Sequence, residues 1–427
     1  MTTVTSLPSG GAAIFWGVLT FSLLVVMHEG GHFLAARAFG VKVHEFMLGL
    51  PGPAIRWRSK RSGVSYGITA IPLGGYVRIA GMEPGAEDEL LGRALGLLVD
   101  HGGTDALTLA SEMGVPRERA AALLATLEDY GAAEPSSDDA SSKPLVERLP
   151  GEDDDALIAR VRSTVFRGQR TWKRMTILAM GVIVNIVAAI VILTVALTII
   201  GTPVPLPRVK QLTPAGAAAA AGLRVGDTVT AFARTPIKDW TGLTTALKSS
   251  KPGTQLPITV RRDGRTLTLP VTLGARQGGG ALLGVIADTR NVPVPVFSAF
   301  EESLGMTGAV FVGVGRFFNP STFSQSLQGA RSVVGISYLV AGAAEQGPLA
   351  YAWMIALLSL SLGVVNVLPI PPLDGGRIAV EAVGAAIRRP VPRNLAIAVS
   401  AAGTLLLFSL IFYLMYADVL RYIINKG

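Results

Sequence analysis

The sequence predicts a polytopic α-helical membrane protein with about four transmembrane helices and attached soluble segments of mixed α/β structure. Half of its 427 residues are hydrophobic and only 16% are charged. The mean hydropathy is +0.47, which is too apolar for an ordinary soluble protein. Separate apolar segments have the length that a bilayer requires, and we place the four transmembrane helices at residues 12–39, 175–200, 350–376 and 395–418.

The first apolar segment carries a metal-binding pattern, His28-Glu29-Gly30-Gly31-His32. Residues four apart lie on one face of a helix, so the two imidazoles can bind one zinc ion. Glu29 lies beside the metal and suits a general base. The alternative is that both histidines are ordinary buried residues of a helix core. Ionisable groups at membrane depth nevertheless favour a functional site.

The third ligand of a zinc site must be a histidine or a carboxylate, because the chain has 4 His and no Cys. His44 and His101 fall in soluble-looking loops. Asp374 follows a proline-rich run at the end of the 350–376 segment, where an apolar helix is expected to break. We therefore take Asp374 as the candidate third ligand, with a simple ion pair to Arg377 as the alternative.

Residues 63–80 are rich in β-branched and aromatic residues and are interrupted by Gly and Pro, which predicts short strands or a hairpin. Non-helical backbone at membrane depth is tolerated only where protein or water covers it. The segment is therefore either a re-entrant β-loop that lines the metal site or an ordinary cytoplasmic hairpin.

Residues 84–165 are predicted to form an acidic helical module in the cytoplasm. Apolar residues recur at helical spacing, and Gly114 and Pro116 separate two helices in a helix-turn-helix outline. Residues 83–155 hold 18 of the 30 acidic residues but 5 of the 38 basic ones, so we expect no nucleic acid partner. We expect a regulatory partner for this insert, with an acidic linker at residues 136–139.

The positive charges predict the orientation in the bilayer. Arg37 and Lys42 follow the first segment, and Lys173 and Arg174 precede the second, which places these ends in the cytoplasm and favours contacts with anionic lipids. Asn185, inside the second segment, either joins helices or belongs to the site. Residues 300–345 are predicted to be an interfacial segment.

Residues 205–275 return to a soluble composition with alternating strands, and topology places them outside the cytoplasm. The run Ala221-Gly222-Leu223-Arg224-Val225-Gly226-Asp227 resembles the signature of PDZ domains, which bind extended peptides by strand addition.

These motifs together resemble the site-two protease family of intramembrane zinc metalloproteases, in particular the bacterial regulator-of-sigma-factor proteases. The second family motif begins at Asn366 and ends at Asp374-Gly375. The resemblance implies that Zn²⁺ is bound by His28, His32 and Asp374, and that Glu29 is the catalytic base. It also assigns substrate-binding roles to Asn366 and to the β-loop residues Gly74, Gly75 and Tyr76.

Two features depart from the family pattern. Gly181 is followed by Val182 where the family usually has Pro, which leaves the role of Asn185 open. The insert at about residues 84–165 is longer than the usual connection, and the resemblance does not explain it.

The resemblance implies regulated cleavage of transmembrane helices in single-pass membrane proteins that have already been trimmed, such as anti-sigma factors and signal-peptide remnants. It places the protein in the bacterial inner (cytoplasmic) membrane, with the active site toward the cytoplasm and the PDZ domain outside. A metal transporter or sensor is the first alternative, and it would not need Glu29 as a base. A non-catalytic scaffold is the second.

Overall fold

The computed structural model describes residues 8–72, 74–82, 87–136, 141–214, 216–275, 280–389 and 391–420. The acidic linker predicted at residues 136–139 lies outside them except for Ser136. Contacts divide the chain into two compact units, and each is described separately. The first comprises residues 1–193 and 300–427, and the second comprises residues 194–299.

Four helices among the described residues are long and apolar enough to cross a membrane, as the sequence predicts. They are α1 (Gly10–Ala38), α6 (Thr171–Ile199), α12 (Pro348–Asn366) and α14 (Arg393–Val419). The remaining helices that lie wholly or mainly in the first unit are α2 (Leu91–Asp100), α3 (Ala106–Met113), α4 (Arg117–Asp129), α5 (Asp154–Arg162), α9 (Val296–Gly315), α10 (Pro320–Gly329), α11 (Val333–Gln346) and α13 (Asp374–Ala386).

The segment predicted at residues 350–376 breaks at its proline-rich run, as expected, and forms two helices in the structure. Helix α12 ends at Asn366, and α13 begins at Asp374. The connection contains three prolines, which lack an N–H and disfavour helical backbone in the residue before them. Asp374 is therefore the first residue of a new helix, where the helix dipole favours a negative charge.

The predicted interfacial segment, residues 300–345, consists of α9, a 3₁₀ turn at Arg316–Phe318, α10 and α11. Helix α11 packs closely on α1, since a side chain at Gly17 would collide with Ser337. The Asp418 carboxylate of α14 accepts the Ser332 N–H at 2.6 Å, which fixes the start of α11. The interfacial location stays a prediction.

A four-stranded sheet lies against α1. Its strands are β1 (Val43–Leu48), β2 (Ala54–Arg58), β3 (Ser65–Thr69) and β4 (Gly75–Ile79), in the order β2-β3-β1-β4. Strand β1 is parallel to β3 and antiparallel to β4, so β3 and β4 do not form a hairpin with each other. Sequence reasoning missed β1 and β2, which lie between the first apolar segment and the predicted β-loop.

Strand β4 is at the end of this sheet and is held next to α1. The Ser22 hydroxyl of α1 donates to the Pro72 carbonyl at 2.8 Å, just before the strand. At Gly75, a Cβ would come within 2.8 Å of the Met47 carbonyl oxygen and 3.2 Å of the Val25 side chain. A glycine at this position therefore allows the strand to contact the helix.

The insert folds around its own apolar core. Besides α2 to α5, it contains β5 (Thr104–Asp105), β6 (Ala133–Pro135) and β7 (Ser141–Pro144), in the sheet order β5-β7-β6. Gly114 ends α3 in the left-handed conformation that glycine favours, and Pro116 caps α4. The largest buried side chains of this core are Leu91, Leu95, Leu98, Leu109, Leu123, Leu127, Tyr130, Leu157 and Ile158.

The second unit is built on a sheet with the order β12-β11-β9-β8-β15, and β10 pairs with β9. Its strands are β8 (Thr202–Leu212), β9 (Thr228–Phe232), β10 (Thr235–Pro236), β11 (Gln255–Arg262), β12 (Arg265–Thr272), β13 (Gly274–Ala275), β14 (Ala281–Leu282) and β15 (Val285–Val292). Two helices, α7 (Ala217–Ala220) and α8 (Trp240–Lys248), complete it. The sheet extends beyond the predicted boundary at residue 275, because β15 pairs with β8.

An almost fully buried ion pair explains the Gly-Asp end of the PDZ-like motif. The Asp227 side chain is 1% exposed and binds the Arg262 guanidinium through two contacts of 2.8 and 2.7 Å. Asp227 also accepts the Arg224 N–H at 2.8 Å. Burial alone would raise the pKa of Asp227, but the paired guanidinium outweighs it and holds the pKa below its usual range.

We expect Arg262→Gln to destabilise the second unit by about 3 kcal/mol, because it leaves a buried carboxylate without its charged partner. The folded-state pKa of Asp227 is depressed, so its contribution is present above the unfolded-state pKa of about 3.9 and is lost as the pH falls through the folded-state value. Hydrogen exchange of β9 and β11 in the full chain, from pH 7 to pH 3, measures both effects.

The matched control is Arg261→Gln, since Arg261 is the exposed neighbour on the same strand. Equal exchange rates in the two variants at pH 7 would contradict the role of the ion pair.

Candidate active site

Three side chains that the sequence predicted as ligands converge in the first unit. Asp374 Oδ2 lies 2.9 Å from His28 Nε2 and 3.2 Å from His32 Nε2. The two Nε2 atoms are 3.4 Å apart. All three residues are buried.

These atoms fit a zinc ion. Two ligand atoms that each lie about 2.0–2.1 Å from a tetrahedral zinc are about 3.4 Å apart, which is close to the separations observed here. The two histidines and the aspartate form the group among the described residues that could hold a metal ion. Asp374 Oδ2 is buried beside the two Nε2 atoms without forming a well-aligned hydrogen bond to a described residue, as expected for atoms that converge on a cation.

The other nitrogen of each imidazole is also occupied. His32 Nδ1 donates to the Ile177 carbonyl of α6 at 2.8 Å, which leaves Nε2 free for a metal. The Asn185 amide nitrogen lies 3.3 Å from His28 Nδ1, while Asn185 Oδ1 is buried without a partner among the described residues. Rotating this amide by half a turn places Oδ1 beside the imidazole, so that His28 Nδ1–H donates to Oδ1 and Nε2 is left for a metal.

Two glycines allow α1 and α6 to meet at the site. A Cβ at Gly31 would come within 2.5 Å of the Met180 carbonyl oxygen. A Cβ at Gly181 would collide with His32 Nε2 and lie 2.9 Å from His28 Cε1. Small residues of this kind let the backbones of membrane helices approach closely.

Glu29 lies in the same cavity of about 220 Å³ as the three ligands. Its Oε2 atom accepts the Val77 N–H of β4 at 3.1 Å. The described residues that line this cavity are His28, Glu29, His32, Val77, Met82, Asn366, Pro372, Leu373, Asp374 and Arg377. A larger cavity of about 710 Å³ shares Met82, Pro372 and Arg377 with it and extends between α6, α13 and α14.

The other predicted site residues occupy different positions. Asn366 lines the cavity, and its amide donates to the Leu362 carbonyl one turn earlier at 3.0 Å. Tyr76 does not line it, because its hydroxyl donates to Glu45 at 2.9 Å on the neighbouring strand. Gly75 allows the close approach of β4 to α1, and Gly74 just before the strand has a positive φ of 91°.

Sequence reasoning placed Val77 in the β-loop without its contact to Glu29, and it missed the Ile177 carbonyl and Gly181 as parts of the site. Val77 and Ile177 contribute main-chain groups, which leave no signal in the side-chain sequence. Gly181 was noted only as part of an atypical family motif.

The comparisons with known proteins agree with this geometry. The model of peptidase family M50 matches residues 16–410. The chain is 30% identical over 418 residues to the zinc metalloprotease RasP of Geobacillus kaustophilus, which covers 95% of this chain and 97% of that protein. It is 29% identical over 419 residues to the regulator of sigma-W protease RasP of Bacillus subtilis, and this match covers 95% of this chain and 97% of that protein.

A third relative is the metalloprotease MmpA of Caulobacter vibrioides, which is 28% identical over 449 residues with 96% of each chain covered. The family that the motifs resemble is thereby confirmed, and the buried group of two histidines and one aspartate supplies the ligand types that zinc requires. The chain belongs to peptidase family M50 and is a zinc metalloprotease.

Proposed function

We propose that this protein cleaves transmembrane helices of trimmed single-pass membrane proteins inside the bilayer. The observation that carries the proposal is the depth of the site. His28 lies ten residues before the end of α1 at Ala38, which is about 15 Å along the helix axis. A metal site with a base at that depth suits hydrolysis of a peptide bond that lies within the membrane.

The proposed roles follow from the contacts. His28, His32 and Asp374 would hold zinc, which as a Lewis acid activates water and polarises the scissile carbonyl when it is bound. Glu29 accepts the proton of the attacking water and delivers it to the leaving amine. Asn366 lines the same cavity and has an amide that can turn from its own helix to the substrate carbonyl.

Strand β4 supports the proposed mode of substrate binding. A peptide bond in an intact helix is shielded, so the substrate must be extended before it is attacked. Among the described residues β4 pairs only with β1 in its sheet, and its Val77 N–H faces Glu29. A substrate strand that accepted this N–H would lie next to the ligands and release the Glu29 carboxylate for proton transfer.

The substrate class is proposed from the relatives and the topology. The Bacillus subtilis relative is named a regulator of sigma-W protease, which suggests anti-sigma factors, with signal-peptide remnants as a second class. Positive residues near the ends of α1 and α6 favour an inner-membrane protein whose site opens toward the cytoplasm. The lipid bilayer is then a constant partner.

We also propose that residues 205–275 form a PDZ domain outside the cytoplasm. It would exclude substrates with a bulky ectodomain or bind their new C-termini. The Asp227–Arg262 pair and the antiparallel sheet with two helices support a stable peptide-binding module, and the gating role rests on the family resemblance.

We expect Glu29→Gln to abolish cleavage of a trimmed single-pass substrate while zinc stays bound, because Gln cannot accept the proton. Loss of the base should lower kcat by at least about 100-fold. Co-expression with tagged candidate substrates reveals the cleavage product inside the span, and metal analysis of the purified variant measures the zinc content.

Wild-type protein that binds zinc but cleaves none of the trimmed substrates would favour transport. Cleavage by the Glu29→Gln variant at the wild-type rate would remove the proposed role of Glu29.

We expect Gly31→Ala to reduce both zinc binding and cleavage strongly, because the added Cβ collides with the backbone of α6 at Met180 and separates the two helices. Gly30→Ala is the matched control in the same motif, since no atom lies within 4 Å of its Cβ position. Equal zinc contents in the two purified variants would contradict the close crossing of α1 and α6.

We expect Asn185→Ala to weaken zinc binding by about 10- to 100-fold, which is typical when a partner of a metal-bound histidine is removed. Competition with a zinc chelator measures the affinity. Thr198→Val on the same helix is the control, because the Thr198 hydroxyl has no partner among the described residues. An unchanged affinity in Asn185→Ala would show that Asn185 only joins helices.

A further inference from the structure

The acidic insert has a definite topology. Its described elements follow the order α2, β5, α3, α4, β6 and β7, and the three strands form an antiparallel sheet in the order β5-β7-β6. This is the topology of winged-helix domains, in which the helix at the position of α4 commonly contacts DNA.

Helix α4 is poorly suited to DNA. Its exposed positions include Glu118, Ala121, Ala122 and Ala125, which cannot neutralise phosphates. Of its two arginines, Arg119 is bound to Asp88 by two contacts of 2.8 Å. The contacts of this helix with the rest of the first unit indicate a different role.

Asp129, at the C-terminal end of α4, forms hydrogen bonds to the four-stranded sheet β1–β4 and the chain that follows it. The Asp129 carboxylate accepts the Gly81 N–H at 2.9 Å, two residues after β4 ends. The Asp129 carbonyl accepts a hydrogen bond of 2.7 Å from Nε2 of His44 on β1. One residue of the insert therefore binds both strand β1 and the chain just after strand β4.

The position of His44 results from an irregularity in β1. Val43 pairs with Ile79, but Glu45 pairs with Arg78, so His44 is an extra residue on its strand. Such a β-bulge changes the direction of a side chain. Here the imidazole reaches the end of α4, where carbonyl groups lack helical partners.

The apolar core of the insert also includes the residue that follows β4. Ala80, which follows β4, is fully buried in the same cluster as Leu127 and Tyr130. Its carbonyl accepts the Phe166 N–H at 2.8 Å, from the chain that leaves the insert. The chain that enters the insert after β4 and the chain that leaves the insert are thus joined by a backbone hydrogen bond as well as by a shared core.

Strand β4 is consequently held at both ends. Ser22 of α1 binds the Pro72 carbonyl before the strand, and Asp129 binds Gly81 after it. Between these two contacts, the Val77 N–H meets Glu29. An end strand has a partner on one side only, so its distance from α1 depends on such contacts.

We propose that Asp129 is a positioning residue through which the winged-helix insert sets the distance between β4 and Glu29. The proposal rests on the proposed function, because it concerns the same base and substrate strand. It makes α4 the element by which the insert acts on catalysis, and it gives the insert a role inside the protease rather than on nucleic acid.

The test uses the full-length protein in liposomes with a cleavable single-pass substrate. We expect Asp129→Ala to lower kcat about tenfold with KM within twofold of the wild-type value, since a displacement of about 1 Å can cost 100-fold. Asp129→Asn keeps a side-chain oxygen for the Gly81 N–H and loses only the charge that faces the half-exposed Arg78 at 3.7 Å, so its kcat should stay within about threefold of wild type. His44→Ala should lower kcat to a value between those of the two Asp129 variants.

Asp88→Asn is the matched control, because it breaks the ion pair with Arg119 within the same insert and away from the sheet. It should leave kcat unchanged. An unchanged kcat in both Asp129→Ala and His44→Ala would overturn the proposal, as would a change confined to KM. An Asp129→Asn variant as slow as Asp129→Ala would also overturn it.

Hydrogen exchange provides a readout that does not need cleavage. Exchange at Val77 and Gly81 should become at least fivefold faster in Asp129→Ala and stay unchanged in Asp88→Asn, with α2 and α5 still protected. If the wild-type protein cleaves no substrate, the proposed function fails while this exchange still tests the coupling. Unchanged exchange at Val77 in Asp129→Ala would overturn the coupling itself.

Discussion

The close crossing of α1 and α6 at Gly31 and Gly181 is the constraint on which the site depends. Without a Cβ at either position, the Met180–Gly181 backbone lies against the motif helix and next to its imidazoles. This proximity brings the Ile177 carbonyl to His32 and the Asn185 amide to His28. The two contacts fix the ring orientations, so that both Nε2 atoms point to Asp374.

The sequence predicted all three proposed ligands and fewer of the groups that orient them. His28 and His32 are determined by helical spacing alone, and Asp374 by the proline-rich end of an apolar helix. The partners of the histidines come from α6, about 145 to 157 residues away in sequence, so local pattern cannot reveal them. The amide of Asn185 could be noted as a buried polar group, but its partner required the tertiary structure.

The β-sheet shows the same limit. Residues 63–80 have a recognisable strand composition, yet the pairing of β3 and β4 with β1 depends on a strand with the sequence VHEFML that contains two ionisable residues. Glu45 of that strand binds Tyr76, and His44 binds Asp129. Strand β1 was missed because its polar side chains serve contacts with neighbouring elements rather than solvent.

The break between α12 and α13 brings Asp374 to the two histidines of α1. A helix that continued past Asn366 would carry Asp374 about 12 Å further along its axis, at a rise of 1.5 Å per residue. The connection instead folds back tightly onto the start of α13. Gly375 and Gly376 permit this, because a Cβ at either position would collide with the backbone of Val367 or Pro371. Asn366 and Asp374 consequently line one cavity with Glu29, although each belongs to a different helix. The prolines end one helix, and the glycines after Asp374 allow the next helix to begin against that end.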